Sequence, residues 1–264
     1  MIIIKTGRDL ESMRAACRVA RAVLDEVAAA VAPGVTTREL DDYAAERIKH
    51  YNARSAFLGY RVGHLKYPCH TCISINEQVV HGLAGPRRIA FGDLVSIDVG
   101  VYYDGFVGDN ARTVVAGGCT DPVALRLLEA TETALQRGIA AAVAGNRVKD
   151  ISRAVQQHVE SHGFSVVREF VGHGVGRHMH EEPQVPNFVE PGRVSPLLRP
   201  GMTLAIEPMV NAGKPGVKRL KDGWTVVTED GSLSAHFEHT VLVTEGAPEI
   251  LTCTNQTSFA LRAS

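Results

Sequence analysis

The same succession of patterns occurs twice along this chain: two amphipathic helices, a His-Gly pair, an apolar run ending in an acid, and a second acid further on. In the first pass, Leu10, Met13, Cys17, Val19, Ala20, Leu24 and Val27 recur at mixed three- and four-residue steps, which predicts a helix from Asp9 to about Val31. Pro33-Gly34 stops it. Thr36 and Glu39 have capping-box spacing for a second helix to about Asn52, with Leu40, Ala44 and Ile48 on one face. In the second pass, Asp121-Pro122 offers an N-cap and a first-turn proline for a helix to about Ala144. Another helix covers about 148–161 and stops at Gly163. Short β-branched runs at Cys72-Ile-Ser-Ile, Leu94-Val-Ser-Ile and Thr113-Val-Val-Ala read as strands divided by turns such as Asp104-Gly105. Strands and turns are expected to dominate from there to about residue 251.

The two passes align in pieces. Ala30-Val31-Ala32-Pro33 resembles Ala142-Val143-Ala144-Gly145, and Leu40, Ala44 and Ile48 correspond to Ile151, Val155 and Val159, one residue out of register with that match. Gly92-Asp-Leu-Val-Ser-Ile-Asp98 aligns with Gly201-Met-Thr-Leu-Ala-Ile-Glu207. His81-Gly82 pairs with His173-Gly174, and Asp109 with Glu238. This implies one domain over 1–264, made of halves of about 1–120 and 121–264 that face each other across a single site. A chain of 264 residues can bury a full core without disulfides or a structural metal.

The repeat singles out Asp98, Asp109, His173, Glu207 and Glu238. Asp98 and Glu207 each follow an apolar run, as acids at the end of a buried strand would. Four buried carboxylates repel one another unless cations neutralise them. A carboxylate-rich set with one imidazole suits Mn, Fe, Co or Zn, and two such ions can share a hydroxide and polarise a carbonyl. With 28 Lys plus Arg against 29 Asp plus Glu, the chain has no large basic excess to clamp polyphosphate or nucleic acid. Five scattered cysteines argue against a disulfide scaffold and for a reducing compartment, and no apolar run suits a signal peptide or membrane span. The expected location is the cytoplasm.

Seven segments together resemble a type I methionine aminopeptidase. They are Cys72-Ile-Ser-Ile-Asn-Glu-Gln-Val-Val-His81-Gly, Ile97-Asp98-Val, Asp104-Gly-Phe-Val-Gly-Asp109, Gly172-His173-Gly-Val-Gly, His180-Glu-Glu-Pro-Gln, Met202-Thr-Leu-Ala-Ile-Glu207-Pro-Met and Ser234-Ala-His-Phe-Glu238-His-Thr. They occur in order between residues 57 and 251. The resemblance implies an α+β pita-bread fold: two pseudo-symmetric αβ halves around a curved antiparallel sheet, with helices outside. It implies two divalent metal ions held by Asp98, Asp109, His173, Glu207 and Glu238. His81 and His180 become contacts for substrate and intermediate, although the repeat alone would pair His81 with the ligand His173. The implied reaction is attack of a bridging hydroxide on the first peptide bond, with His180 stabilising the oxyanion and Glu207 shuttling the proton. The methionine pocket would draw on Tyr60, Tyr67, Cys72, His81, Met179 and Trp224. The substrates would be N-terminal methionyl peptides and nascent chains with a small second residue. Transient ribosome association and a monomeric state follow from the resemblance as well.

The chain departs from that family in places. Phe57 stands where many relatives have Cys, Met179 where many have Phe, and Gly100 where Thr is common. His236 replaces a frequent amide, and Arg61–Lys66 is longer than in short bacterial relatives. Longer relatives carry an N-terminal zinc-finger extension, and this chain is expected to have none. Cys69-His-Thr-Cys72 has no second pair for a zinc ribbon, and His180-Glu-Glu-Pro-Gln184 lacks the second His of a zincin helix. Two rival functions are an Xaa-Pro peptidase of the same fold and a non-catalytic pita-bread module that binds proteins or RNA.

Overall fold

Four helices carry the apolar stripes that cover the sheet. A computed structural model describes residues 1–119, 121–192 and 194–253. The helices are α1 (Arg8–Ala29), α2 (Thr37–His50), α3 (Pro122–Ala140) and α4 (Val148–Ser161). The capping box forms as expected: Glu39 N–H donates to Thr36 Oγ1 at 3.1 Å and Thr36 N–H donates to Glu39 Oε2 at 2.7 Å. Asp121 accepts from Val123 N–H at 2.8 Å, with Pro122 in the first turn of α3. Helices α1 and α3 end earlier than the periodicity suggests. Beyond each, the chain turns at a glycine with left-handed φ, +92° at Gly34 and +91° at Gly145. The turn uses residues whose side chains would have continued the helical stripe.

Nine strands form the main antiparallel sheet. They are β1 (Arg54–Ser55), β2 (Cys72–Ile75), β3 (Leu94–Tyr103), β4 (Phe106–Val115), β5 (Gly172–Gly174), β6 (Glu181–Val185), β7 (Thr203–Ile206), β8 (Glu238–Leu242) and β9 (Glu249–Ile250). Their order is β1-β3-β4-β8-β7-β5-β6, with β2 also on β3 and β9 also on β8. The middle of the sheet is a short seam, where Glu238 faces Ala111 and His239 faces Asn110. Pro183 lies in a strand, so the zincin helix is excluded geometrically.

The halves are related more closely than the sequence matches suggest. Buried positions Thr37, Leu40, Ala44 and Ile48 of α2 correspond to Val148, Ile151, Val155 and Val159 of α4 at one constant separation. Met13, Ala16, Ala20 and Leu24 of α1 correspond to Ala124, Leu127, Thr131 and Leu135 of α3 at that same separation. The helix match therefore sets the register, and the Ala-Val-Ala match is one residue out. In the strands, Gly92 and Gly201 both have φ of +87° and accept the same role, donating to Ala116 and Val243 carbonyls respectively.

Two other expected equivalences do not hold. His173 pairs with Ala205, which corresponds to Ser96, and Ser96 pairs with Ser74. The equivalent of His173 is thus Ser74, while His81 lies after the separate strand Gln78–Val80. Likewise Asp109 faces Gly100 and Ala111 faces Asp98, so the ladder equivalent of Asp109 is His236 and that of Glu238 is Ala111. The second acids are two residues apart in register. A strand repeats its side every two residues, so both still point the same way. Asp98 also lies within β3 rather than at its end, because β3 stays paired with β4 along its whole length.

Each half has an apolar core between its helices and the sheet. Leu24, Leu40, Ile73 and Ile97 pack in the first, and Leu127, Leu135, Ile151 and Leu204 in the second. A third cluster holds Phe57, Tyr67, Cys72, Met179 and Trp224 beside the seam. Among the described residues no helix is long and apolar enough to cross a membrane.

Candidate metal centre and pocket

The seam gathers acids from both halves. Asp98 comes from β3, Asp109 from β4, Glu207 follows β7, and Glu238 opens β8. His173 sits between Gly172 and Gly174 on β5, and a β-carbon on either glycine would collide with neighbouring backbone. The close strand approach that places His173 therefore needs glycine on both sides. Near the pocket's apolar wall, Asp41 accepts from Thr71 N–H at 2.8 Å and Thr71 Oγ1 at 2.7 Å, fixing the entry to β2. Cys72 then falls opposite Asp98.

Asp109, His173 and Glu238 present ligand atoms all within 4.8 Å of one another. His173 Nδ1 donates to Gly174 O at 2.8 Å, which leaves Nε2 with its lone pair. That lone pair lies 3.7 Å from Asp109 Oδ2 and 3.5 Å from Glu207 Oε1. Acceptors facing acceptors repel unless a cation lies between them. Asp98 Oδ1, Asp109 Oδ1 and Glu238 Oε1 are likewise buried without a hydrogen-bond partner. The donor set and its orphaned oxygens fit divalent cations.

Protonation follows from burial. It pushes Asp98 up to about 7, an effect that His236 opposes and Glu207 reinforces. Burial pushes Glu207 up to about 8. Burial and then neighbouring acids hold Asp109 and Glu238 well above the usual carboxylate range. Burial also drives His173 down to about 3 and His81 down to about 4, so both imidazoles are neutral near pH 7. Without cations the carboxyls retain protons that metal would displace.

A cavity of about 330 Å³ opens above these acids. All twelve residues singled out from the sequence line it: the four acids and His173 above, together with His81, His180, Tyr60, Tyr67, Cys72, Met179 and Trp224. Tyr60 Oη and His180 Nδ1 are 2.7 Å apart. Tyr67 meets Trp224 edge-on at 5.1 Å and donates to Gly82 O at 2.9 Å, next to His81. His81 takes a left-handed φ of +59°, a strained state for a non-glycine residue, and its ring meets Phe170 at 5.3 Å. The departures at positions 57, 100 and 179 form one packing unit. A β-carbon on Gly100 would stand 2.8 Å from Phe57 Cε1 and 3.0 Å from Met179 Cε.

Sequence reasoning missed three lining residues: Val62, Phe170 and Arg219. Val62 belongs to the hairpin Arg61–Val62/Leu65–Lys66, which the extra residues of that loop build. Nothing in its local pattern signals a pocket wall. Phe170 stood three residues before His173, a proximity that could have drawn attention to it.

The acids, the neutral imidazole and the fold define a metallopeptidase, and the chain belongs to metallopeptidase family M24, whose profile matches residues 11–245. The methionine aminopeptidase of Clostridium perfringens (strain 13 / Type A) is 49% identical over 252 residues, covering 96% of this chain and 99% of that one. The crystal structure of methionine aminopeptidase from Thermotoga maritima superposes with a TM-score of 0.89 at 45% identity, covering 96% of this chain and 99% of that chain. The prolidase from Pyrococcus furiosus has the same fold at a TM-score of 0.77 and 26% identity, covering 96% of this chain and 66% of its own. The chain thus has the pita-bread fold that the resemblance implied.

Proposed function

We propose that this chain is a metal-dependent aminopeptidase that removes the initiator methionine from new polypeptides whose second residue is small. The observation that carries the reading is the Nε2 lone pair of His173 facing Asp109 and Glu207, at the base of a cavity walled by Tyr67, Met179 and Trp224. Asp98, Asp109, His173, Glu207 and Glu238 would hold two divalent ions, with cobalt, manganese, iron and zinc all compatible. Such ions activate a water molecule and polarise the scissile carbonyl.

The chain's own groups do the rest. Glu207 is the group that takes the proton from water and delivers it to the leaving amine. Tyr60 Oη lies 2.7 Å from His180 Nδ1, and in the tautomer in which Tyr60 donates, the His180 Nε2–H donates to the carbonyl oxygen as it gains charge. His81, held neutral, contacts the peptide beside the cleaved bond. Phe57, Tyr60, Tyr67, Cys72, Met179 and Trp224 enclose the thioether, whose unbranched chain suits an apolar, ring-lined wall. The acids at the base favour a free α-amino group, which confines cleavage to the first residue. A cytoplasmic monomer that meets nascent chains in transient contact with the ribosome fits this role, without membrane or sequence-specific nucleic-acid binding.

The test is release of methionine from Met-Ala and Met-Leu peptides under a panel of divalent ions. Met-Ala should be cleaved far faster. Preferential cleavage of Ala-Pro would move the assignment to an Xaa-Pro peptidase. Absence of metal-dependent release under every ion would leave only a non-catalytic module.

A further inference from the structure

The cavity has one permanently cationic side chain on its lining, and the metal chemistry does not require it. Arg219 ends the exposed strand Val217–Arg219 and lines the cavity with His81 and Phe170. No carboxylate pairs with it among the described residues. Two divalent ions already balance four carboxylates, so its charge is surplus to the centre. Arg219 pairs with Val226 across the strand ladder, and Val226 pairs with Val80, the residue before His81. Arg219 therefore lies towards the His81 side of the cavity.

On the aminopeptidase reading His81 contacts the peptide beside the cleaved bond, so the chain beyond that bond runs on the side of Arg219. His81 meets the Phe170 ring at 5.3 Å, and both line the cavity together with Arg219. A guanidinium there matches a carboxylate in both charge and bidentate geometry. Resting on the aminopeptidase reading, we infer that Arg219 forms a subsite for a substrate carboxylate downstream of the cleaved bond. The carboxylate comes from an acidic side chain at the third or fourth residue, or from the C-terminus of a short peptide.

The experiment compares kcat/KM on Met-Ala-Asp-Gly amide, Met-Ala-Asn-Gly amide and Met-Ala-Asn-Gly free acid, at low and high salt. Wild type should favour the Asp amide over the Asn amide by about fivefold, through KM rather than kcat, and high salt should erode the gap. Arg219→Gln should bring the ratio to about one, and Arg219→Lys should keep part of it. Lys218→Gln, on the opposite face of the same strand, should leave the ratio at its wild-type value. A preference confined to the free acid would support the subsite with the terminal carboxylate as its ligand. Efficient cleavage of all three peptides at equal rates would overturn the subsite and leave the aminopeptidase reading standing. An equal loss in Lys218→Gln would also overturn it, by tracing the effect to bulk charge. Absence of cleavage of every peptide would overturn the aminopeptidase reading itself, and the subsite with it.

Discussion

The ring of Phe57 occupies the space that a side chain on Gly100 would need. The wall of the pocket is therefore set by a pair of positions on β3 and the loop after β1, with Met179 completing it. Introducing Gly100→Thr should cost about 1–3 kcal/mol through overpacking and raise KM for a Met-Ala peptide. Adding Phe57→Cys should recover part of both losses, because the two side chains compete for one volume. Thermal unfolding and KM across the four combinations give the coupling, and simple additivity would contradict it.

Metal removal should give an unusual pH dependence. Glu207 is raised from 4.5 to about 8 and Asp98 from 3.8 to about 7. A carboxyl raised on folding binds its proton more tightly in the native state, so its stabilising effect fades as pH rises through the folded value. The metal-free protein should lose several degrees of Tm between about pH 5 and pH 8. Added Mn should raise Tm most at the alkaline end, with protons released on binding. A metal-free Tm that climbs over that interval would contradict the burial argument.

Glu238→Ala removes one proposed ligand at the seam, where Glu238 Oε1 has no other partner. Metal content and turnover should fall together, turnover by at least about 100-fold. Full metal occupancy with near-normal turnover would exclude Glu238 from the ligand set.

Lys5 and Glu181 form a buried ion pair at 2.6 Å, with side chains only 3% and 4% exposed. Glu181 adjoins His180, so the N-terminal segment braces the residue assigned to the oxyanion. Lys5→Ala should cost about 3–5 kcal/mol by leaving Glu181 buried and unpaired. Removing both charges with Lys5→Met and Glu181→Leu should restore much of the stability. Chemical denaturation of the wild type, Lys5→Ala and the double variant checks this.

The sequence was most legible where side-chain spacing follows one geometry. Helix faces recur every three or four residues, so Leu40 and Ile151 aligned, and the first acids aligned through runs of equal length that follow Gly92 and Gly201 and end in isoleucine. Short matches were less secure. Ala-Val-Ala can slide by one residue in an alanine-rich helix end, and a strand tolerates a two-residue shift that keeps its facing, which is how Asp109 came to be matched with Glu238. His81 and His173 shared only a dipeptide. The cavity wall was least legible. Val62, Phe170 and Arg219 meet through tertiary packing, and no local period encodes that meeting.

The seam between β4 and β8 is short, with two facing positions, yet Asp109 lies on one side of it and His173 and Glu238 on the other. An ion held by these three groups would act as a rivet between the lobes. A chain cut at Gly118 would then behave as two fragments whose reassembly is titrated by divalent ions, turning one polypeptide into a metal-gated complementation pair.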